Sequence, residues 1–328
     1  MKPTFPRRAA FALPALLAAP ASAQTGDWPQ RPVRIIVPAA GGGSSDPIAR
    51  FLAQAFTQRF GQGFVVENRP GAAGNVGMTT AARAAPDGYT LLFGFAGPLA
   101  TNLALYADLP FHTQRHFDAV VLAGGVPNAL IVGPQSPLRS LADFLAAARA
   151  RPGTIGYGTT GSGSSMHLAG TVLSGAANVE LNHIPYSSPG AMTTDVIAGR
   201  LDSAFLGTPG TVPLHRAGTI RALAVLAERR AAVLPDIPTA IEQGLPGVVM
   251  GTWFALMAPK GTPPAIIRAL NAAANEAIHG PGRETLAGLG LELDGDMAGG
   301  TPEQAEAFLA AEIARHAGIV RRANIRVE

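Results

Sequence analysis

Along this 328-residue chain, short β-branched runs alternate with longer Ala/Leu-rich stretches whose apolar positions recur every three or four residues. The first pattern suits strands buried on both faces and the second suits amphipathic helices, so the chain reads as an α/β protein. Val33–Val37 is the first strand, residues 38 to 46 form a glycine-rich loop, and residues 47 to 60 form a helix. Pro47 suits the first helical position, which places Asp46 at the N-cap. A strand over 63–67, a turn at Arg69-Pro70-Gly71, a helix over 75–85, a turn at Pro86-Asp87-Gly88 and a strand over 90–93 complete one Rossmann-like lobe.

The pattern then crosses and restarts. Ala129–Val132 lies between Pro127 and Pro134 and reads as a crossover strand. Beyond it the periodicity predicts a helix over 140–151, a strand over 154–157, a glycine-serine loop and a helix from about Ser165. Strands over 181–184, 203–206 and 220–226 follow, with a helix over 191–198. Trp253–Met257 reads as the return strand, stopped by Pro259 and Gly261, before helices over 263–279 and 302–322. The expected division is residues 24–127 with 252–328 in lobe 1, and 128–251 in lobe 2. Two such lobes joined by two crossover strands form a hinged pair with a ligand cleft between them. No 20–50-residue repeat array is visible.

The N-terminus changes the charge picture. Lys2, Arg7 and Arg8 precede an apolar run at 9–19 that is too short to span a bilayer, and Ala21-Ser22-Ala23 is a small-x-small cleavage site. Residues 1–23 therefore read as a signal peptide cleaved near Ala23-Gln24, and Arg7-Arg8 raises the twin-arginine route. That segment holds three of the 25 basic residues and no acid, so the remaining chain balances its 22 acidic residues with no net formal charge. No basic tract is left for nucleic acid or anionic membrane. Lys260 is the one lysine after Gln24, which leaves little scope for Schiff-base or P-loop chemistry. The absence of cysteine excludes disulfides, thiol catalysis and Cys-ligated zinc.

Two strand-to-helix loops stand out, Ala39–Asp46 and Gly158–Ser165. In open α/β sheets ligands bind at such carboxyl strand ends. Glycines admit close approach, serine hydroxyls donate, and helix N-termini favour an anion. Asp46 already occupies part of the first positive end, so the second loop, which carries no acid, is expected to be the stronger anion seat. Ser44, Ser45 and glycine amides of the first loop would add contacts across the cleft. His167 lies one turn into the following helix and could reach the cleft. Asp202 could accept from a ligand amine or hydroxyl, and Tyr186 could line the cleft or pack.

Enzymatic motifs are missing. The first loop lacks the GK[ST] ending of a P-loop, residues 161–166 break G-x-G-x-x-G at Met166, and no G-x-S-x-G elbow occurs. His112 and His116 have the spacing of a metal pair, but without H-E-x-x-H and with Pro110 nearby they read as surface residues. No metal or cofactor is expected.

Across the whole expected mature chain the sequence resembles the substrate-binding proteins of tripartite tricarboxylate transporters, the Bug family. The matches include Ile36-Val37-Pro38 through Gly42–Asp46, Val66-Glu67-Asn68-Arg69-Pro70-Gly71-Ala72-Ala73-Gly74-Asn75 and Ala85–Thr90. They continue through Gly161–Leu168, His183-Ile184-Pro185-Tyr186, Gly199–Asp202, Leu234–Thr239 and Ala258–Pro264. The resemblance implies a periplasmic binding protein-like fold (Venus flytrap, type II) and delivery of a small carboxylate to a membrane permease. It further implies a ligand carboxylate held by both loops, which implicates Ala39, Gly43, Ser44, Ser45, Asp46, Ser162, Ser164, Ser165 and His167, with Tyr186 and Asp202 as further contacts. Where the family often has Lys-Gly after Pro-Tyr, this chain has Ser187-Ser188. That departure, together with loops free of Arg and Lys, favours a mono- or dicarboxylate or an amino acid over a tricarboxylate. An extracytoplasmic sensor would bind the same ligands, and a hydrolase or isomerase using His167 with Asp202 would need a nucleophile that no motif supplies.

Overall fold

The computed structural model describes residues 28–41, 44–293 and 297–326. The predicted signal peptide and Gly43 of the first loop lie outside the described residues. The first lobe opens with β1 (Val33–Val37), α1 (Ser45–Phe60), β2 (Phe64–Asn68), α2 (Asn75–Ala82) and β3 (Thr90–Phe95). Val33 and Ile35–Val37 are fully buried while Arg34 is exposed, as expected of a strand covered on both faces. Short helices α3 (Asn102–Leu105) and α4 (Thr113–His116) lead into β4 (Phe117–Val132). The second lobe runs α5 (Leu141–Ala150), β5 (Gly156–Thr159), α6 (Ser165–Ala177), β6 (Asn182–Pro185), α7 (Pro189–Ile197), β7 (Ser203–Gly207), α8 (Thr208–Arg216) and β8 (Arg221–Val225). The chain returns through β9 (Gly251–Pro259), α9 (Pro264–His279), α10 (Arg283–Gly288), β10 (Ala298–Gly299) and α11 (Pro302–Arg322).

The strands lie in the order β2-β1-β3-β9-β4-β7-β5-β6, with β8 and β10 also pairing with β4. Within the first lobe β1 pairs in parallel with β2 and β3, and within the second β5 pairs in parallel with β6 and β7. The crossover expected at Ala129–Val132 is the end of a 16-residue strand. Gly124 and Gly125 look like breakers in the sequence, but a register shift between Leu122 and Gly125 absorbs them, and Pro127 falls at the last pair with β9. Through Pro127↔Gly251, β4 pairs with β9; from Asn128↔Gly207 onwards it pairs with β7. One strand therefore runs through both sheets, and its partner changes at Pro127/Asn128.

Helices cover both faces of each sheet, so each lobe is a three-layer sandwich around two apolar clusters. The first helix starts at Ser45, two residues before the expected position, and Asp46 is consequently inside its first turn rather than at the cap. Proline tolerates this placement because a first-turn N–H has no intrahelical acceptor to lose. The helix ends at Gly61, whose left-handed φ of 70° lets its N–H reach Thr57 O at 3.0 Å.

The last helix reaches both lobes. Ala305 and Leu309 pack in a first-lobe cluster, whereas Ile319 and Val320 pack with Leu130, Phe144 and Leu173 of the second. Residues 252–328, assigned by sequence to one lobe, thus contribute to both cores. Midway along α11, Glu312 accepts from Trp253 Nε1 at 2.7 Å and from Arg315 at 2.6 and 2.8 Å. Arg315 also donates to Val249 O at 3.3 Å, just ahead of β9. Burial works to raise the Glu312 carboxyl, but its contacts with His316 and Arg315 outweigh that and hold it at about 2.

Candidate functional site

The two glycine-rich loops sit where the sequence expects them, at the carboxyl ends of β1 and β5 and ahead of α1 and α6. In the first loop, Ala39 O accepts from Asn68 Nδ2 at 3.3 Å, and Arg50 bridges Asn68 Oδ1 (3.4 Å) to both Asp46 oxygens (3.0 and 3.2 Å). Asp46 therefore braces the loop through Arg50. Ser44 is exposed and Ser45 is buried.

The second loop is built from its own hydroxyls. Thr159 Oγ1 accepts the Gly161 N–H at 3.1 Å and lies 2.6 Å from His183 Nε2. Ser164 Oγ donates to Gly161 O at 2.7 Å and accepts the His167 N–H at 3.2 Å, the N-cap of α6. Its hydroxyl is thus committed to the loop. Gly163 has φ of +78°, and a Cβ there would stand 2.2 Å from Leu105 Cδ1, so this corner requires glycine.

His167 supports the loop from behind. Its Nδ1 accepts the Gly163 N–H at 3.1 Å, so the neutral ring carries its proton on Nε2. Burial, with a smaller contribution from His183, lowers its pKa to about 4. The first turn of α6 contains no acidic residue, so the helix supplies no negative charge of its own at its positive end.

A cavity of about 780 Å³ lies between the lobes. Ser44 and Pro47 of the first lobe and Ser165 and Met166 of the second share its wall, with Asn128 of β4 also among the lining residues. Val126, Leu206, Val212 and Leu289 make much of the remaining wall apolar, and Arg216, in the last turn of α8, is its one charged lining residue among the described residues. A second cavity of about 580 Å³ opens beside the same crossing strands, but Glu312 and Arg315 on its wall pair with one another. The interlobe cavity is the one that gathers the loop serines.

The other expected contacts are placed elsewhere. Ser162 is exposed at the loop tip, and Ala39, at the start of the first loop, is half-buried against the first-lobe core. Tyr186 turns to α7, where its hydroxyl donates to Asp195 Oδ2 at 2.9 Å. Asp202 accepts the Gly156 N–H at 2.8 Å, at the start of β5 and hence at the opposite sheet edge from the loop. It is a structural acceptor there and does not line the cleft. His112 donates its backbone N–H to His116 Nδ1 at 2.9 Å within the short α4, and no group of metal-ligating side chains forms among the described residues.

Two cleft residues escape the sequence reading. Arg216 lies on a helix hidden by Pro209 and Pro213. Asn128 is 2 % exposed, and its Nδ2 has no hydrogen-bond partner among the described residues. A lone amide inside the apolar run 126–132 was the available signal.

Residues 48–325 match the family described as the tripartite tricarboxylate transporter family receptor. Protein BugT of Bordetella pertussis is 37% identical over 320 residues, covering 97% of this chain and 96% of that protein. Among solved structures, R. palustris Rpa4515 with adipate superposes with a TM-score of 0.83 at 34% identity, covering 92% of this chain and 99% of the other. MatC from Rhodopseudomonas palustris with bound malate gives 0.77 at 31% identity, covering 89% and 100%.

Proposed function

We infer the function of this chain from one premise: it belongs to the tripartite tricarboxylate transporter receptor family, and is a solute-binding protein rather than an enzyme. It captures a small carboxylate between its lobes in the periplasm and hands it to the membrane subunits of a tripartite transporter. The observation carrying this reading is the sharing of one cavity wall by Ser44 and Ser165, each at a strand-to-helix turn of a different lobe. A ligand touching both turns favours the closed form by its contacts in that form alone.

The wall chemistry refines the ligand. Neutral hydroxyls and amides at the loops suit one carboxylate, and the apolar wall suits a hydrocarbon body. Arg216 can balance a second acid at the rim. A dicarboxylate with an apolar span fits better than a tricarboxylate, and the relatives solved with adipate and with malate support that class.

Thermal-shift screening of the mature chain against succinate, adipate, suberate, malate, citrate and acidic amino acids tests this reading. A ligand binding only the native state adds about 2.7 kcal/mol at a hundredfold excess over Kd. A dicarboxylate should raise the melting temperature most. No shift with any of these acids, or turnover of one, would overturn the receptor assignment.

A further inference from the structure

We propose that Asn128 is a ligand-binding residue, whose side-chain amide donates a hydrogen bond to the bound acid at the pivot between the lobes. This rests on the receptor reading above and adds a contact on β4, outside both loops.

Asn128 is 2 % exposed, lines the interlobe cavity, and its Nδ2 has no hydrogen-bond partner among the described residues. A buried donor without an acceptor is destabilising, and native proteins rarely keep one without a use. The surrounding strand is apolar, with Val126, Ala129, Leu130 and Ile131 all buried, so nothing in its packing calls for a polar side chain. Among the described residues the Nδ2 donor has no acceptor that would give it a structural task.

The main chain holds this residue from both sides. Its N–H donates to Met250 O at 3.1 Å, and its carbonyl accepts from Leu226 N at 2.8 Å. It is also the first residue at which β4 has left β9 and pairs with β7. An acid oxygen accepting from Asn128 Nδ2 therefore bonds to the segment that crosses from one lobe to the other. Together with Ser44 and Ser165 it gives the ligand three anchoring points: one on each lobe and one at the pivot.

The test compares wild type, Asn128→Ala and Asn128→Leu, using succinate, adipate, suberate and malate as probes. Melting temperatures are measured without ligand, and affinities by titration calorimetry. The expected result is an unliganded melting temperature equal to or above wild type for Asn128→Leu, with affinity for the acid that binds wild type reduced roughly ten- to a hundredfold in both variants. Two outcomes overturn the proposal: both variants binding within about twofold of wild type, or both losing folded yield or melting well below it, which would assign the amide a structural role. If wild type binds none of the acids, the receptor reading itself fails and this inference falls with it.

Discussion

The imidazole of His167 lies flat against that of His183, with ring centroids 3.9 Å apart and planes 9° from parallel. Burial disfavours protonation of both rings, and His183 adds its charge repulsion at His167, which is lowered to about 4. An unfolded histidine titrates near 6.5, so the unfolded chain takes up the proton first as pH falls. The stabilisation is whole above about pH 6.5 and is lost as pH falls through about 4. Wild type should lose on the order of 2 kcal/mol across that window, allowing for partial exposure. His167→Asn should flatten the slope in urea unfolding followed against pH; an unchanged slope would remove the histidine from this role.

Ser164 and Ser162 separate scaffold from surface. Ser164→Ala removes the α6 cap and the Gly161 contact, and should cost about 1 kcal/mol in chemical denaturation. Ser162→Ala, at an exposed site, should stay within about 0.5 kcal/mol. Equal losses in the two would contradict the hydrogen bonding described for the loop.

Asp46 follows the cleft residue Ser44 by two positions, in the first turn of α1, and pairs with Arg50 at 3.0 Å. The Asp46 side chain is only 13% exposed and accepts from Arg50 on both oxygens, so Asp46→Asn should cost about 1–2 kcal/mol. Removing its negative charge should strengthen binding of a dicarboxylate a few-fold at low salt, less at high salt. A tenfold loss of affinity would instead make Asp46 a direct ligand contact.

The Trp253–Glu312–Arg315 cluster predicts a stability effect remote from the loops. Glu312→Ala leaves the buried Trp253 indole N–H without its acceptor and the half-exposed Arg315 guanidinium without its carboxylate, at a cost of about 2–3 kcal/mol. Trp253→Phe, which removes one donor to a charged group, should cost about 1.5–3 kcal/mol in hydrogen bonding. Melting temperatures check both, and near-wild-type stability of Glu312→Ala would show the cluster to be dispensable.

The strand–loop–helix units were legible because their signals are local: Val33–Val37 is a continuous apolar run, and glycines and serines lie between it and α1. Where several signals compete, legibility fails. Pro209 and Pro213 argue against a helix, yet α8 forms with the first in its opening turn and the second carried inside. The placement of Asp202 is a case where topology carries a signal that local motifs do not. In a parallel sheet a residue preceding a strand stands at the opposite edge from the loop that follows one, so Asp202 before β7 belongs with the start of β5. The reach of α11 into the second core depends on tertiary packing, which helical periodicity alone does not specify.

That β4 serves as an internal strand of both sheets limits how such a receptor can be divided. Neither half can be excised and expressed as a self-sufficient piece. Either fragment would lose its inner strand or carry it as a bare edge, inviting adhesion between chains. Exchange of halves between distant relatives would meet the same obstacle, so new ligand preferences are more readily reached by changing side chains along the cleft than by shuffling lobes.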